Sequence, residues 1–599
     1  MSAVGYVVGE VRTDAFTFVT NAQIAPPRLE YVVVRGVQER LDDRVRQVEV
    51  LAQVSSLAVS SRLLDTSMSY GEVEAILRRL GSSPPVIVGQ AKVLGYLDGD
   101  VVRFPRGAAM PGAEVHLAPD DLLKGFFSRH VSGGIEIGSL INRPRVPVLL
   151  DPNGLRRHLA VIAQTGAGKS YTVGVILEKL LNLGGTVIVF DPNSDYVLMR
   201  RDARGRSTPF AQRVEIYRLP TEQRARIPDD QIGPTRRFTV QFSRLEPDEL
   251  CALTGISERA TNIRKAIRTA CENLQGTDYT PRILLQELER LAQGGQPAVA
   301  ERRARPHPAI GDEEAFTRGF RQEIARKAGV EWEDLGRWEE EAEPEPELEP
   351  IVTPREEKPL TPDVIIGAGR ALKYIDRLAR VDIWGFEDVP MDDLLAPMTL
   401  SVIDLAGIDQ WIAEFVVDKV LREAWSRATT EGLARPVFVV LEEAHNFVPG
   451  GRDSYSQCAG IIKRLASEGR KFGIFLILIT QRPYRIHQDT LSQCNSQIIM
   501  RLTNPQDQQA VRTASESISE GLLADLPGLN VGEAVVLGPL VRVPVMVRVG
   551  RRQSAEGGSD IDVVKALERA RSEAITQQME AKAKAERKAR GRSEWEEEV

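Results

Sequence analysis

Apolar and polar positions change rhythm twice along the chain. Up to about residue 150, short runs such as GYVVGEV, EYVVVRGV, RQVEVLAQVSSLAV, VIVGQAKVLGYL and AEVHLA recur between Gly, Pro and Asp punctuation. Many short strands at that spacing predict a small β-barrel or sandwich over 1–150, with one helix over Tyr70 to Leu80. From about 155 the runs become almost wholly apolar: LAVIAQ, TVIVFD, LSVIDLAG, VFVVLEE and IFLILIT. Such runs fit strands buried on both faces, hence a mainly parallel sheet covered by helices. Helical stretches at 171–181 and 411–428 lie between them, which is the α/β arrangement.

The sheet rhythm breaks between 245 and 395. ATNIRKAIRTACENL and PRILLQELERLA carry amphipathic helical spacing, so this region reads as a helical insertion. Near its end EEEAEPEPELEP, residues 339–350, holds seven Glu and three Pro. It buries too little apolar surface to order itself and reads as a linker. The layout is therefore a β-rich domain at 1–150, an α/β core in two parts at 151–244 and 396–550, the insertion between them, and a charged tail at 551–599. For the tail's basic cluster, Lys582 to Arg592, a solvated tail is the reading favoured over contact with DNA or a partner.

Composition narrows the class. A length of 599 residues argues for roughly two to four domains. Apolar content of 42% and charged content of 27% are those of a globular protein. No run is long enough for a membrane span, and the N-terminus lacks a signal-peptide pattern, so the expected place is the cytoplasm with no membrane partner. Cys251, Cys271, Cys458 and Cys494 have no C-x-x-C spacing, which argues against a zinc site or a disulfide framework. A net charge of −7 does not advertise nucleic-acid binding, although a channel can be locally basic in an acidic protein.

The chemistry concentrates in AQTGAGKS, residues 163–170. It follows an apolar strand and opens a helix, the context that a phosphate-binding loop requires. Gly166 and Gly168 let successive backbone N–H groups turn inward, and the helix N-terminus adds its positive dipole. Lys169 is suited to the β- and γ-phosphates of ATP, and the Ser170 hydroxyl to Mg²⁺. Ala163 stands where the first Gly is usual. Thr165, Gly166, Ala167, Gly168, Lys169, Ser170 and Tyr171 are the expected nucleotide contacts, with Asp191 and Arg157 as further candidates.

A second strand, VFVVL, delivers Glu442 and Glu443 at its end. One carboxylate there can hold the Mg²⁺ shell and the next can polarise the attacking water. Glu442 takes the metal role, where Asp is usual, and Glu443 the catalytic base. Ligands of open parallel sheets lie beyond the C-terminal strand ends. Gln481, after IFLILIT, is there a candidate sensor of the γ-phosphate. Asp404 at its own strand end reads as a helix cap. In KRLASEGRKFG, Arg470 is the first candidate for an arginine finger acting on a neighbouring subunit, ahead of Arg464 and Lys471. A solvated basic helix face is the competing reading. The glycine-rich loop VPGGRDSYSQ, with Arg452, is either a channel loop or a plain surface turn.

RRHLAVIAQTGAGKS, DPNSDY, VVLEEAHNF, EGRKFGIFLILITQRP and LSQCNSQIIMRLTNPQD occur in the order seen in the HerA helicases of the HerA–FtsK group, which this chain resembles. The resemblance implies a RecA-like P-loop ATPase behind an N-terminal HAS barrel. It implies a hexameric translocase on double-stranded DNA that works with a NurA-type nuclease in end resection. It places the Walker A residues on Gly168, Lys169 and Ser170, the Walker B acids on Glu442 and Glu443, and the sensor on Gln481. The trans-acting arginine falls on Arg470 and the upstream arginine on Arg157. DPNSDY departs from the family's D-P-H-G-E-Y, which argues against a contact from Asp195. The alternatives are an ATP-dependent scaffold or defence sensor, and a conjugative-type DNA pump.

Overall fold

A computed structural model describes residues 2–41, 44–61, 64, 66–80, 86–128, 133–220, 227–295, 360–451, 455–558, 563–564 and 567–580. The acidic stretch 339–350, Arg452 and the basic cluster 582–592 lie outside the described residues. The rest divides into two compact units, Met1–Gln241 with Asp382–Val599, and Phe242–Val381.

The first unit begins with a closed six-stranded antiparallel barrel. Its strands are β1 (Gly5–Val8), β2 (Ala15–Thr20), β3 (Tyr31–Leu41), β4 (Arg44–Ser60), β5 (Val86–Asp98) and β7 (Glu114–Leu117). They run in the order β1-β2-β5-β4-β3-β7, and β7 pairs back to β1. β6 (Val101–Arg103) pairs antiparallel with the end of β5. The pairing of β2 with β5 closes the sheet and selects the barrel over the sandwich. Alternation puts Phe16, Phe18, Val32, Val34, Ala91 and Val93 inside. Phe18 fills the space where a side chain at position 89 would project, since a Cβ there would lie 2.2 Å from its ring, so Gly89 must be glycine.

The second sheet has twelve strands. β8 (Ile135–Leu140), β9 (Arg143–Leu150), β10 (Leu159–Ile162), β11 (Thr186–Asp191), β12 (Val214–Arg218) and β13 (Arg236–Arg237) come first in the chain. A small separate pair, β14 (Val240–Gln241) and β15 (Trp384–Gly385), follows. Then come β16 (Leu400–Asp404), β17 (Val437–Leu441), β18 (Ile474–Thr480), β19 (Ser496–Met500), β20 (Glu533–Leu537) and β21 (Val545–Val549). The order is β13-β12-β16-β11-β17-β18-β10-β19-β20-β21-β8-β9. From β13 to β19 neighbours are parallel, and beyond β19 they are antiparallel. β10, β11, β16, β17 and β18 are buried at every position. That is why they read as unbroken apolar runs.

Two boundaries differ from the sequence expectation. β8 and β9 fall within 1–150 yet join the twelve-stranded sheet, because Ile135, Ile137, Leu140, Val146, Val148 and Leu150 bury in the core that holds β10 and β11. The insertion ends at Val381 rather than 395, since β15 pairs with β14 inside the first unit. The second unit is helical, with helices Pro247–Leu253, Thr261–Asn273, Pro281–Ala292 and Pro362–Ala379. Residues 567–580 form an exposed helix. Among the described residues no helix is long and apolar enough to cross a membrane.

Candidate nucleotide site

β10 ends at Ile162, and the chain turns through residues 163–168 into the helix Lys169–Asn182. Gly166 and Gly168 both adopt positive φ, 75° and 98°, where a side chain would be strained. Ala163 is fully buried and its N–H donates to Thr480 O, so the small side chain fits where glycine is usual. Ala167 is buried and its carbonyl accepts from Gly532 N–H. Thr165 is exposed, and its hydroxyl donates to Gln481 Oε1 at 2.5 Å.

Lys169 opens the helix with only 7% exposure. Its Nζ lies 2.5 Å from Glu442 Oε1 and 2.7 Å from Glu443 Oε1. Gln481 Nε2 donates to the same Glu443 oxygen at 2.6 Å. β18 lies between β10 and β17, so the loop, the paired acids and Gln481 leave adjacent strand ends. Burial pushes Glu442 up to about 7 against the pull of Lys169. Burial opposes the Lys169 charge, but the two carboxylates outweigh it and push that amine up to about 12. One ammonium thus faces two buried acids, so the cluster has oxygen ligands to spare for a hard cation.

The turn after β11 supplies two further groups. Ser170 Oγ donates to Asp195 Oδ2 at 2.8 Å, and Tyr196 Oη donates to Glu442 Oε2 at 3.0 Å. Asp191 shapes this turn: its carboxylate accepts from the N–H groups of Asn193, Asp195 and Tyr196. It is fully buried, and burial followed by the charges of Asp195 and Asp404 raises its pKa well above the usual range. Asp191 therefore holds the turn, and Asp195 is the acid that reaches Ser170. Among the described residues no three His, Cys, Asp or Glu side chains form a metal cluster. Mg²⁺ needs none, because it usually takes one or two carboxylates together with phosphate oxygens and water. Ser170, Glu442 and Asp195 fit that need.

Residues 135–424 match the family described as "Helicase HerA, central domain". A probable helicase of Methanocaldococcus jannaschii is 30% identical over 581 residues, covering 94% of each chain. The DNA double-strand break repair helicase HerA of Pyrococcus furiosus is 30% identical over 611 residues, covering 94% of this chain and 96% of its own. The chain belongs to the HerA helicase family. Among solved structures, the bacterial conjugative coupling protein TrwB aligns at 14% identity and a TM-score of 0.43, over 74% of this chain and 94% of its own.

In this HerA-family chain the two candidate arginines lie away from the phosphate loop. Arg157 ends a 3-10 turn just before β10, and Arg470 lies in the turn Gly469–Lys471 just before β18. Both are exposed and both precede strands whose far ends carry the site. The seven residues of β18 span about 20 Å. Arg157 is set apart from the loop by the four residues of β10, whose far end the loop leaves. Of the runners-up, Arg464 stacks on Trp425 at 4.9 Å and Lys471 is exposed. Asp404 accepts from Ser194 Oγ, Ala406 N–H and Arg218 Nε, and the N-cap position of the following helix falls on Asp409, whose side chain makes no capping bond.

Sequence reading missed several partners. Tyr171 Oη accepts from Arg552 N–H at 2.8 Å, and Arg552 Nη1 donates to Ser170 O at 3.2 Å. Glu178 accepts from Gln553 N–H and from Ser554 N–H and Oγ. Residues 551–558 therefore form a strap over the helix Lys169–Asn182 rather than the start of a solvated tail. Nothing local marks Arg552, since its bonds to Tyr171 and Ser170 reach back some 380 residues in sequence. Asp195 had a signal, an acid four residues after the acid that ends β11. His445 Nδ1 lies 3.3 Å from Glu443 Oε2 and 3.2 Å from Thr480 Oγ1.

Proposed function

We propose that this protein is an ATP-driven, ring-forming motor on double-stranded DNA, acting with a NurA-type nuclease in DNA end resection. The observation that carries the reading is the convergence of Lys169 on Glu442 and Glu443, with Gln481 on the same Glu443 oxygen. When bound, ATP supplies a transferable γ-phosphoryl group whose charge Mg²⁺ neutralises. Lys169 and the inward N–H groups around Gly166 and Gly168 bind the phosphates. Ser170 and Glu442 serve the metal shell, with Asp195 orienting the serine hydroxyl. Glu443 takes a proton from the attacking water, and Gln481 fixes the orientation of its carboxylate.

Arg157 and Arg470 lie exposed at the strand ends opposite the phosphate loop. That placement supports a site shared between subunits. In a head-to-tail ring that closes, as in a hexamer, one subunit's loop faces its neighbour's opposite edge. Arg470 then supplies the guanidinium that stabilises charge in the transition state. Hydrolysis would depend on the subunit interface, which couples chemistry to movement.

The loop after Glu443 is the proposed DNA contact. His487 N–H donates to Val448 O at 3.0 Å and Gly450 N–H donates to Arg485 O at 2.6 Å. This pairing brings the loop beside the turn that bears exposed Arg482 and Arg485. Contacts to phosphates carry no sequence information, so translocation should be sequence-independent and salt-sensitive. The test is ATP turnover with and without linear duplex DNA. Strong stimulation supports the motor. Equal turnover in both conditions overturns it in favour of a scaffold that hydrolyses ATP slowly.

A further inference from the structure

We propose that His158 is a positioning residue that yokes Arg157 and Arg470 into one two-guanidinium edge, with its Nε2–H holding the end of the helix from which Arg470 projects. The inference rests on the shared-site reading above. His158 follows Arg157 directly and is buried at 2% exposure. Its backbone adopts φ 54° and ψ 158°, a region where glycine is the usual occupant. There the backbone carries the ring into the interior, where both nitrogens find partners.

The ring makes two bonds of opposite sense. Nδ1 accepts from Leu476 N–H at 2.9 Å, within β18. Nε2 lies 3.1 Å from Ala466 O. With Nδ1 accepting, a neutral ring carries its proton on Nε2 and donates to that carbonyl. Ala466 lies in the last turn of the helix Ala459–Glu468, and Gly469, Arg470 and Lys471 follow at once. The histidine thus holds the end of the helix from which Arg470 projects.

The backbone around the ring is fixed as well. Asn495 N–H donates to Arg157 O at 3.0 Å, and Ser496 N–H to His158 O at 3.3 Å. Gly469 admits no side chain, since a Cβ there would lie 2.8 Å from Ile474 O. The turn bearing Arg470 has little freedom except through the helix that His158 grips. Charge supports the arrangement: Arg470 helps keep the ring neutral, after burial, which is the larger effect.

Two substitutions separate the two nitrogens. His158→Gln keeps a donor near Nε2 and loses the acceptor near Nδ1. His158→Asn keeps the acceptor and loses the donor. Each is measured for Tm, for kcat and KM of ATP turnover, and for hydrogen exchange at Gly469–Phe472. The expected result is that the asparagine variant loses kcat on the order of a hundredfold at little-changed KM. Its 469–472 amides exchange faster, while the glutamine variant stays near wild type in both. Turnover that follows Tm regardless of which nitrogen is replaced overturns the proposal. Unchanged exchange at 469–472 in the asparagine variant also overturns it. Arg470→Ala, run alongside, tells the two readings apart. If that variant keeps full turnover, the shared site fails. If it is inactive while His158→Asn is normal, only the positioning role fails.

Discussion

Lys169 Nζ lies 2.5 Å from Glu442 Oε1 and is the cation between two buried carboxylates. Removing it leaves both acids without their counter-charge, and breaking a buried pair from one side costs about 3 kcal/mol or more. Lys169→Ala is therefore expected to abolish ATP turnover and also to lower unfolding free energy by about that amount in the absence of nucleotide. The double variant Lys169→Met with Glu442→Gln should recover most of the stability and none of the activity. Denaturant titration of the three proteins checks this. A Lys169→Ala protein as stable as wild type would show that the acids are neutralised from elsewhere.

Which parts of this site the sequence disclosed follows from the range of the contacts involved. The phosphate loop is a local motif with its strand and helix attached, so Gly166 to Ser170 could be read directly. The parallel strands could be read because both faces are covered and no polar alternation interrupts them. The hairpin β8–β9 could not be separated from the barrel, because its alternation of Ile135, Ile137, Val146, Val148 and Leu150 has the same period. Which sheet a half-buried strand joins is decided by long-range packing. Asp191 and Asp195 were hard to rank for a similar reason. Both occupy the turn after one strand, and only the three-dimensional turn shows that the first is spent on backbone N–H groups.

The placement of Arg470 on the edge opposite the phosphate loop leads to a mixing test. Arg470→Ala and Glu443→Gln are each expected to be inactive alone. Mixed rings regain some sites that pair a normal Glu443 with a normal Arg470 from the next subunit. Turnover should therefore pass through a maximum as the mixing ratio is varied. Flat, inactive profiles with mixed rings confirmed by mass measurement would rule out a site completed by a neighbour.

His158 makes a separate prediction for pH. Burial, opposed by the Ala466 bond and aided by the Arg470 charge, lowers its pKa to about 4 from the ordinary 6.5. Between those values the unfolded chain binds a proton that the folded ring refuses. Stability from this group is therefore complete above pH 6.5 and falls as pH drops toward 4, by about 3 kcal/mol in all. Other carboxylates titrate in the same window, so the comparison is with His158→Gln, which lacks the titrating ring. The stability advantage of wild type over that variant should shrink from pH 7 to pH 4. An advantage that is constant with pH would mean the ring takes up its proton as readily in the folded chain as in the unfolded one.

The strap of residues 551–558 gives the sharpest contest between local propensity and packing. Gly174 lies in the middle of the helix Lys169–Asn182, where alanine would ordinarily stabilise by about 1 kcal/mol. A Cβ at that position would lie 2.4 Å from Arg552 Nε and 2.5 Å from its Cζ. Arg552 cannot step aside cheaply. It is buried, its Nε donates to Ser554 Oγ, Nη1 to Ser170 O and Nη2 to Ala555 O. Overpacking a well-filled site costs about 1–3 kcal/mol, which exceeds the helical gain. Gly174→Ala is therefore expected to lower Tm and to open the strap to protease, despite placing a better helix former in a helix. The strap also contacts the phosphate loop through Tyr171 and Ser170, so nucleotide affinity should fall with it. Arg552→Ala in the same chain removes the clash, and Gly174→Ala on that background should cost less or become stabilising. If Gly174→Ala raises Tm in the parent protein, Arg552 does not occupy that groove in solution.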